Sequence, residues 1–266
     1  MTESVLDKIV ADVRKRLDWT PVAPGLERLA QRAVEVRRKE GKRSLRRALE
    51  GDDPEIIAEC KKGSPAVGLI RPDFNPIKLA RAYADARAAA ISVVTEPDSF
   101  FGQPRWLVDV RRAVNLPVMR KDFIIDRRQL FETAVLGADA VLLIQRILDK
   151  PKLESFLAIA AELELEVLLE IFVDEDPAPA IESGAAIIGV NSRDLATFET
   201  DLDRVEALAT NLPDDRVLVA ESGIHGPDQI QRLHQAGYSA FLVGDHLVRA
   251  DDPEQAVRRL TGRLLR

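Results

Sequence analysis

Eight short apolar runs recur along the chain, and a longer amphipathic stretch follows each of them. The runs are Ile56–Ala58, Ile91–Val94, Pro117–Met119, Ala140–Ile144, Val167–Ile171, Ala186–Val190, Val217–Ala220 and Ala240–Val243. Each is too short for a helix and reads as a strand buried on both faces. The stretches between them carry helical periodicity, as at 77–90, 130–136, 153–163 and 227–236. Gly137, Gly184 and Gly237 stand just before strands, where a helix C-terminus favours glycine. Pro151, Pro177, Pro227 and Pro253 stand near helix starts, where proline is tolerated. Eight strand–helix pairs predict an α/β chain folded as a closed (β/α)8 TIM barrel. An open doubly wound sheet is the competing architecture, but no G-x-G-x-x-G follows an early strand.

The length of 266 residues fits this reading, because α/β barrels run to about 250 residues as one domain. We therefore expect a single domain over 1–266, with a helical extension over 1–50 and eight βα units over 55–266. In the extension, Val5, Ile9, Val13 and Leu17 recur at helical spacing. The basic stretch Arg32–Arg47 reads as a solvated helical face. The sharper alternative is an extension that covers one end of the barrel and helps close the site.

Composition excludes several classes of function. A net charge of −6 and a pI near 5.3 argue against a general nucleic-acid binder. The single cysteine, Cys60, excludes an intrachain disulfide and fits a reducing compartment. No apolar run reaches the ~18 residues of a membrane span, and the acidic N-terminus lacks a signal-peptide block. The expectation is a soluble, cytoplasmic protein without a membrane partner. Three histidines and one cysteine, none at metal-ligand spacing, predict no metal site.

Barrel enzymes place their chemistry at the C-terminal ends of the strands. Here those ends carry Glu59-Cys60-Lys61, Thr95-Glu96, Arg120-Lys121-Asp122, Gln145-Arg146, Glu170, Asn191-Ser192-Arg193, Glu221-Ser222-Gly223 and Gly244-Asp245-His246. Side chains alternate along a strand, so Glu59 and Lys61 share one face while Cys60 takes the other. Met119 and Lys121 share a face in the same way. Glu170 is embedded in Val167–Val173, where a carboxylate is costly unless paired or functional. Desolvation there would raise its pKa toward that of a general acid or base; the plainer reading is an ion pair with a lysine. The loops after the seventh and eighth strands hold Ser222-Gly223 and Gly244-Asp245, where barrels commonly bind phosphate. Glycines let backbone N–H groups approach an anion, and Lys61 and Arg193 add charge. On this reading the Asp245 carboxylate must point away from the phosphate.

Taken in order, these strand ends resemble indole-3-glycerol phosphate synthases. The matching stretches include Ile56–Pro65, Ile91–Glu96, Phe101-Gly102, Pro117–Ile124, Gly137–Ile144, Ile188–Leu195 and Val219–Ile224, with Val5–Val10 similar to the family's first helix. The resemblance implies closure and decarboxylation of 1-(2-carboxyphenylamino)-1-deoxyribulose 5-phosphate, with release of CO₂ and water. It implies a small anionic substrate, a monomer, and no cofactor or metal. By motif position it makes Lys121 the general acid and Glu170 the general base. Lys61 would hold the substrate carboxylate, and Glu59 would orient the catalytic lysine. Asn191 and Glu221 would fix hydroxyls and the developing positive nitrogen. Lys61, Arg193, Ser222, Gly223, Gly244 and the Asp245 backbone would bind phosphate. Ser64, Phe100, Phe123, Leu142, Leu195 and Phe198 match the region around the anthranilate ring. Gly63, Ala66, Gln103, Asp245 and His246 depart from the family's usual residues. Two other readings stand beside this one: another phosphate-binding barrel such as phosphoribosylanthranilate isomerase, and a non-catalytic barrel scaffold.

Overall fold

The structure, a computed structural model, describes residues 4–19, 25–194 and 197–262. Eight parallel strands close into a barrel: β1 (Glu55–Cys60), β2 (Ala90–Val94), β3 (Val118–Lys121), β4 (Ala140–Ile144), β5 (Glu166–Phe172), β6 (Ile187–Asn191), β7 (Val217–Glu221) and β8 (Ala240–Val243). Each strand pairs with the next, and β8 returns to β1 through Glu55↔Ala240.

Several strands run past the apolar segments that predict them. β1, β3, β6 and β7 continue to Cys60, Lys121, Asn191 and Glu221. The apolar pattern stops at the first charged side chain, but the backbone ladder does not. The barrel interior turns polar at this end, so the last ladder positions carry charge into the mouth.

Alternation divides each strand between two cores. Ile56, Ala58, Cys60, Ile91 and Val93 face outward and pack with helix residues such as Leu79, Tyr83 and Leu107. Ile57, Met119, Leu142, Leu168, Val219 and Leu242 fill the barrel. The outer helices begin with α4 (Pro76–Asp85), α5 (Pro104–Ala113), α6 (Arg127–Val135) and α7 (Lys150–Glu162). They continue with α8 (Ala178–Glu182), α9 (Leu202–Ala209), α10 (Pro227–Gln235), α11 (Asp245–Arg249) and α12 (Pro253–Leu260). Side-chain caps fix many starts; Asn75, Asp126, Asp149, Asp201 and Asp252 each accept a backbone N–H of the first turn. The helical pattern over 77–90 overshoots, because α4 ends at Asp85 and Arg87 takes a φ of 64°.

The N-terminal extension serves both ends of the barrel. Its helices are α1 (Val5–Trp19), α2 (Leu26–Glu40) and α3 (Leu45–Leu49). Leu45 and Leu49 pack against Ile57, Met119 and Leu168, plugging the barrel interior from below. The basic stretch is therefore not simply a solvated face. Arg37 is 6% exposed. It donates to the carbonyls of Ala138, Leu163 and Glu164 at 2.8–2.9 Å. Arg43 donates to the Val114 and Leu116 carbonyls at 2.8 Å. These acceptors lie just before strands β3, β4 and β5, where helix ends leave carbonyls without helical partners. Meanwhile α1 lies across the mouth, with Leu6, Ile9, Val10 and Val13 packed on Ile125, Phe100 and Phe123.

Candidate active site

The C-terminal end of the barrel opens into a pocket that collects the charged strand ends. On β1, Glu59 turns inward and Lys61 follows it, while Cys60 is fully buried toward the helices. Burial, and then Glu59, push the Cys60 thiol far up, so it is an inert core residue. Lys61 Nζ lies 3.0 Å from Glu59 Oε1 and also pairs with the Asp245 carboxylate. The Asp245 carboxylate turns toward Lys61, whose buried ammonium needs counter-charge. Burial alone would lower the Lys61 pKa, but Glu59 and Asp245 outweigh it and hold it above the ordinary value. Burial would raise Asp245, but the Lys61 ammonium brings it below the ordinary carboxylate value. Gly244 leaves room for this cluster, since a Cβ there would strike Glu59 and lie 3.2 Å from Lys61 Nζ.

Deeper in the mouth, Lys121 Nζ lies 3.1 Å from Glu170 Oε2 and 3.1 Å from Glu221 Oε2. Asn191 Nδ2 donates to the same Glu170 oxygen at 3.2 Å. The Glu170 and Glu221 side chains are 3% and 1% exposed. Burial would lower the Lys121 pKa, but Glu170, Glu221 and Glu59 outweigh it, so the pKa is raised and the ammonium stays charged. Burial, with a contribution from Glu170, pushes Glu221 up to about 8 against the pull of Lys121. The sequence reading singles out Glu170 as the embedded carboxylate; Glu221 is buried beside it on the same lysine. Glu221 Oε1 and Glu59 Oε2 have no hydrogen-bond partner among the described residues. Gly189 on β6 makes space for Glu221, because a Cβ there would strike its carboxylate.

Lys121 is held from behind by a buried network on the helix side of β3. Arg120 donates to Thr95 Oγ1 at 3.1 Å, to Thr133 Oγ1 at 3.0 Å and to Asp122 Oδ2 at 2.9 Å. Asp122 in turn accepts the Phe123 N–H at 2.9 Å. The strand end is therefore fixed on both sides of the lysine.

Apolar residues wall the pocket. The Phe100 and Phe123 rings stand 6.0 Å apart, with Leu142 and Phe198 also lining the space. Leu195 lies outside the described residues. Ser64 is buried and faces the pocket. Arg193, Ser222, Gly223, Gly244 and Asp245 also line the pocket. Arg193 Nη1 donates to the Phe198 carbonyl at 2.9 Å. Ser222 and Gly223 both take positive φ, 67° and 72°. Gly223 also lies against Thr200, where a Cβ would approach to 3.0 Å.

Several lining residues have no role in the sequence reading. Val5, Leu6 and Ile9 of α1 reach the pocket, as do Glu96, Ile224, His225 and His246. The apolar period of α1 announces a buried face but not its destination. Among the described residues no group of three or more His, Cys, Asp or Glu side chains is arranged to hold a metal ion. No described helix is long and apolar enough to cross a membrane.

A family model described as indole-3-glycerol phosphate synthase matches residues 6–260. The chain belongs to the indole-3-glycerol phosphate synthase family. An indole-3-glycerol phosphate synthase of Alkaliphilus metalliredigens is 40% identical over 257 residues, covering 96% of this chain and 97% of the relative. One of Geobacillus thermodenitrificans is 41% identical over 259 residues, covering 97% of each. Solved structures share the fold at low identity. A tryptophan synthase α-subunit from Pyrococcus furiosus superposes with a TM-score of 0.62 at 16% identity, covering 79% of this chain and 98% of that one. Membership of the indole-3-glycerol phosphate synthase family makes this chain an enzyme, a carboxy-lyase of tryptophan biosynthesis that acts on a small phosphorylated substrate.

One departure from the usual indole-3-glycerol phosphate synthase pattern has a local cause. At Gly63, a Cβ would lie 2.5 Å from the Phe101 ring and 2.6 Å from the Gly68 carbonyl. The large neighbour at 101 leaves no space for a side chain at 63.

Proposed function

We propose that this chain forms indole-3-glycerol phosphate with Lys121 as general acid, Glu170 as general base and Lys61 as the anchor of the substrate carboxylate. The observation that carries this reading is the Lys121 ammonium 3.1 Å from both Glu170 and Glu221, at the base of a pocket with two cations on its rim and two phenyl rings in its wall.

Ring closure joins the aryl carbon that bears the carboxylate to the ribulose carbonyl carbon. The carbonyl oxygen gains negative charge, which Lys121 stabilises and then neutralises by giving up a proton. An alkoxide is a stronger base than an amine, so the transfer runs downhill even from a lysine of raised pKa. Loss of CO₂ restores the aromatic ring. A second proton, given by the Lys61 ammonium or by Lys121 once it is recharged from solvent, lets the new hydroxyl leave as water, while Glu170 takes a proton from the adjacent carbon. Such placed proton transfers contribute roughly 10²–10⁴-fold each. Glu59 orients the lysines, and Asn191 and Glu221 hold hydroxyls and the positive nitrogen of the intermediate. Phe100, Phe123, Leu142, Phe198 and Ser64 enclose the anthranilate end. Arg193, Lys61, Ser222, Gly223, Gly244 and the Asp245 backbone hold the phosphate. That remote anion supplies binding energy that folds the flexible chain into a reactive shape.

The acidic pI near 5.3 and the single buried cysteine support a cytoplasmic enzyme without a nucleic-acid or membrane partner; the family resemblance alone favours a monomer. The isomerase alternative loses ground because it needs a cysteine in the pocket, and Cys60 faces the helices. The test is direct. Purified protein is mixed with the carboxyphenylamino-deoxyribulose phosphate, and indole fluorescence and CO₂ release are followed together. Stoichiometric appearance of both supports the reading; a folded protein that yields neither sinks it.

A further inference from the structure

We propose that Glu96 is a positioning residue that fastens both the Phe100 wall and helix α1 to the barrel mouth. Glu96 stands two residues past β2 and is 1% exposed, a costly place for a carboxylate unless its charge is met. Three consecutive backbone N–H groups meet it. Oε1 accepts from Asp98 at 3.0 Å, and Oε2 accepts from Ser99 at 2.7 Å and from Phe100 at 3.1 Å. The Glu96 carbonyl closes the same loop by accepting the Gly102 N–H at 2.7 Å. Only glycine fits at 102, because a Cβ would lie 2.7 Å from that carbonyl oxygen. The loop is thus wound around one carboxylate, and the winding turns Phe100 into the pocket.

The same carboxylate reaches the N-terminal extension. Arg16, near the end of α1, places Nη1 3.3 Å from Glu96 Oε1 and also pairs with Asp98. Next to it, Arg128 donates to the Leu17 carbonyl at 2.9 Å. These contacts secure the C-terminal end of α1. The other end carries Val5, Leu6 and Ile9 into the pocket. One buried charge therefore sets two walls that belong to segments 80 residues apart.

The consequence for the reaction rests on the proposed function above. Glu96 acts through Phe100 and α1, not on the reacting atoms, so its loss weakens substrate binding and leaves proton transfer at Lys121 in place. Glu96 also borders the pocket, so a direct acid–base role is the competing outcome. The variants are Glu96→Gln, Arg16→Met and Arg16→Lys. Each is assayed by indole fluorescence over pH and by amide hydrogen exchange of residues 5–18 without substrate. Loss of a charge-assisted hydrogen bond predicts a KM rise of about tenfold in Glu96→Gln and Arg16→Met. We expect kcat to fall by less than about threefold, the pH profile to keep its shape, and α1 amides to exchange about tenfold faster. Arg16→Lys restores part of both effects. Unchanged KM and unchanged exchange in both charge-removing variants overturn the proposal. So does a collapse of kcat with a shifted pH profile, which makes Glu96 an acid or base. If Glu96→Gln does not fold, Arg16→Met decides alone. A parent enzyme that makes no indole product overturns the proposed function, and the exchange measurement still decides whether the tether exists.

Discussion

Lys121 and Glu221 face each other at 3.1 Å across the base of the barrel mouth, the first raised in pKa by carboxylates that outweigh its burial, the second raised to about 8 mainly by burial. With a pKa raised to about 8, Glu221 in the free enzyme holds its proton at neutral pH and gives it up in alkaline solution, or when a positive charge forms beside it. Glu221→Gln keeps the shape and removes that titration. A limb near pH 8 in kcat/KM should be present in the parent and absent from the variant. A parent profile that is flat through pH 8 contradicts this assignment.

The same group predicts a pH-dependent stability. Between its ordinary value of 4.5 and about 8, the unfolded chain has lost the Glu221 proton and the folded chain keeps it. The folded state then binds more protons, so this group makes stability fall as pH rises through that window. Glu221→Gln should gain Tm relative to the parent between pH 5 and pH 8, by about 2–4 °C for each 1 kcal/mol in a chain of this size. Calorimetry at several pH values checks the trend; a gain that shrinks with rising pH contradicts it.

In the proposed phosphate site, Asp245 would compete with the bound anion for Lys61. The Lys61 side chain is 13% exposed and that of Asp245 28%, and Glu59, 3.0 Å from Lys61 Nζ, still meets the ammonium when Asp245 is neutralised. Asp245→Asn frees the lysine and should tighten inorganic phosphate binding by about fivefold. Isothermal titration measures it. Weaker binding in the variant means that the carboxylate supports the phosphate site.

Gly189 is set by its neighbour across the barrel. A Cβ would strike the Glu221 carboxylate and lie 2.6 Å from Leu168 Cδ2. Gly189→Ala should cost about 1–3 kcal/mol by overpacking and lower kcat by more than about tenfold as Glu221 is displaced. Urea unfolding and steady-state kinetics separate the two effects. A stable variant of full activity contradicts the contact.

The barrel floor is separable from the chemistry. Leu49 is fully buried below Ile57 and Met119. Leu49→Ala should lose about 2–5 kcal/mol of stability with kcat of the folded enzyme preserved. A variant that keeps its stability to urea contradicts the plug.

Strand alternation made much of the mouth legible in the sequence. It sends Glu59 and Lys61 inward and Cys60 outward, and it aligns Met119 with Lys121. It also stops short where charge begins, so β1, β3, β6 and β7 are longer than their apolar runs. The rest depends on contacts that local pattern does not encode. Arg16 and Glu96 are 80 residues apart, and the α1 period gives no sign that Leu6 and Ile9 enter a pocket. Arg37 and Arg43 look like solvent-facing charge until helix-end carbonyls are brought to them. Asp245 turns inward because Lys61 is there, and Gly189 is glycine because Glu221 is there. That Lys121 meets both Glu170 and Glu221 at 3.1 Å follows from the closing of the barrel, which local pattern does not contain.

The most direct test of the account is the single-turnover rate of indole formation by Lys121→Met, with substrate in excess of its Kd, beside the parent. Loss of the general acid predicts a rate lower by about 10²–10⁴-fold with substrate affinity kept within a few fold. A rate within about tenfold of the parent, far less than a lost acid should cost, contradicts the role given to Lys121.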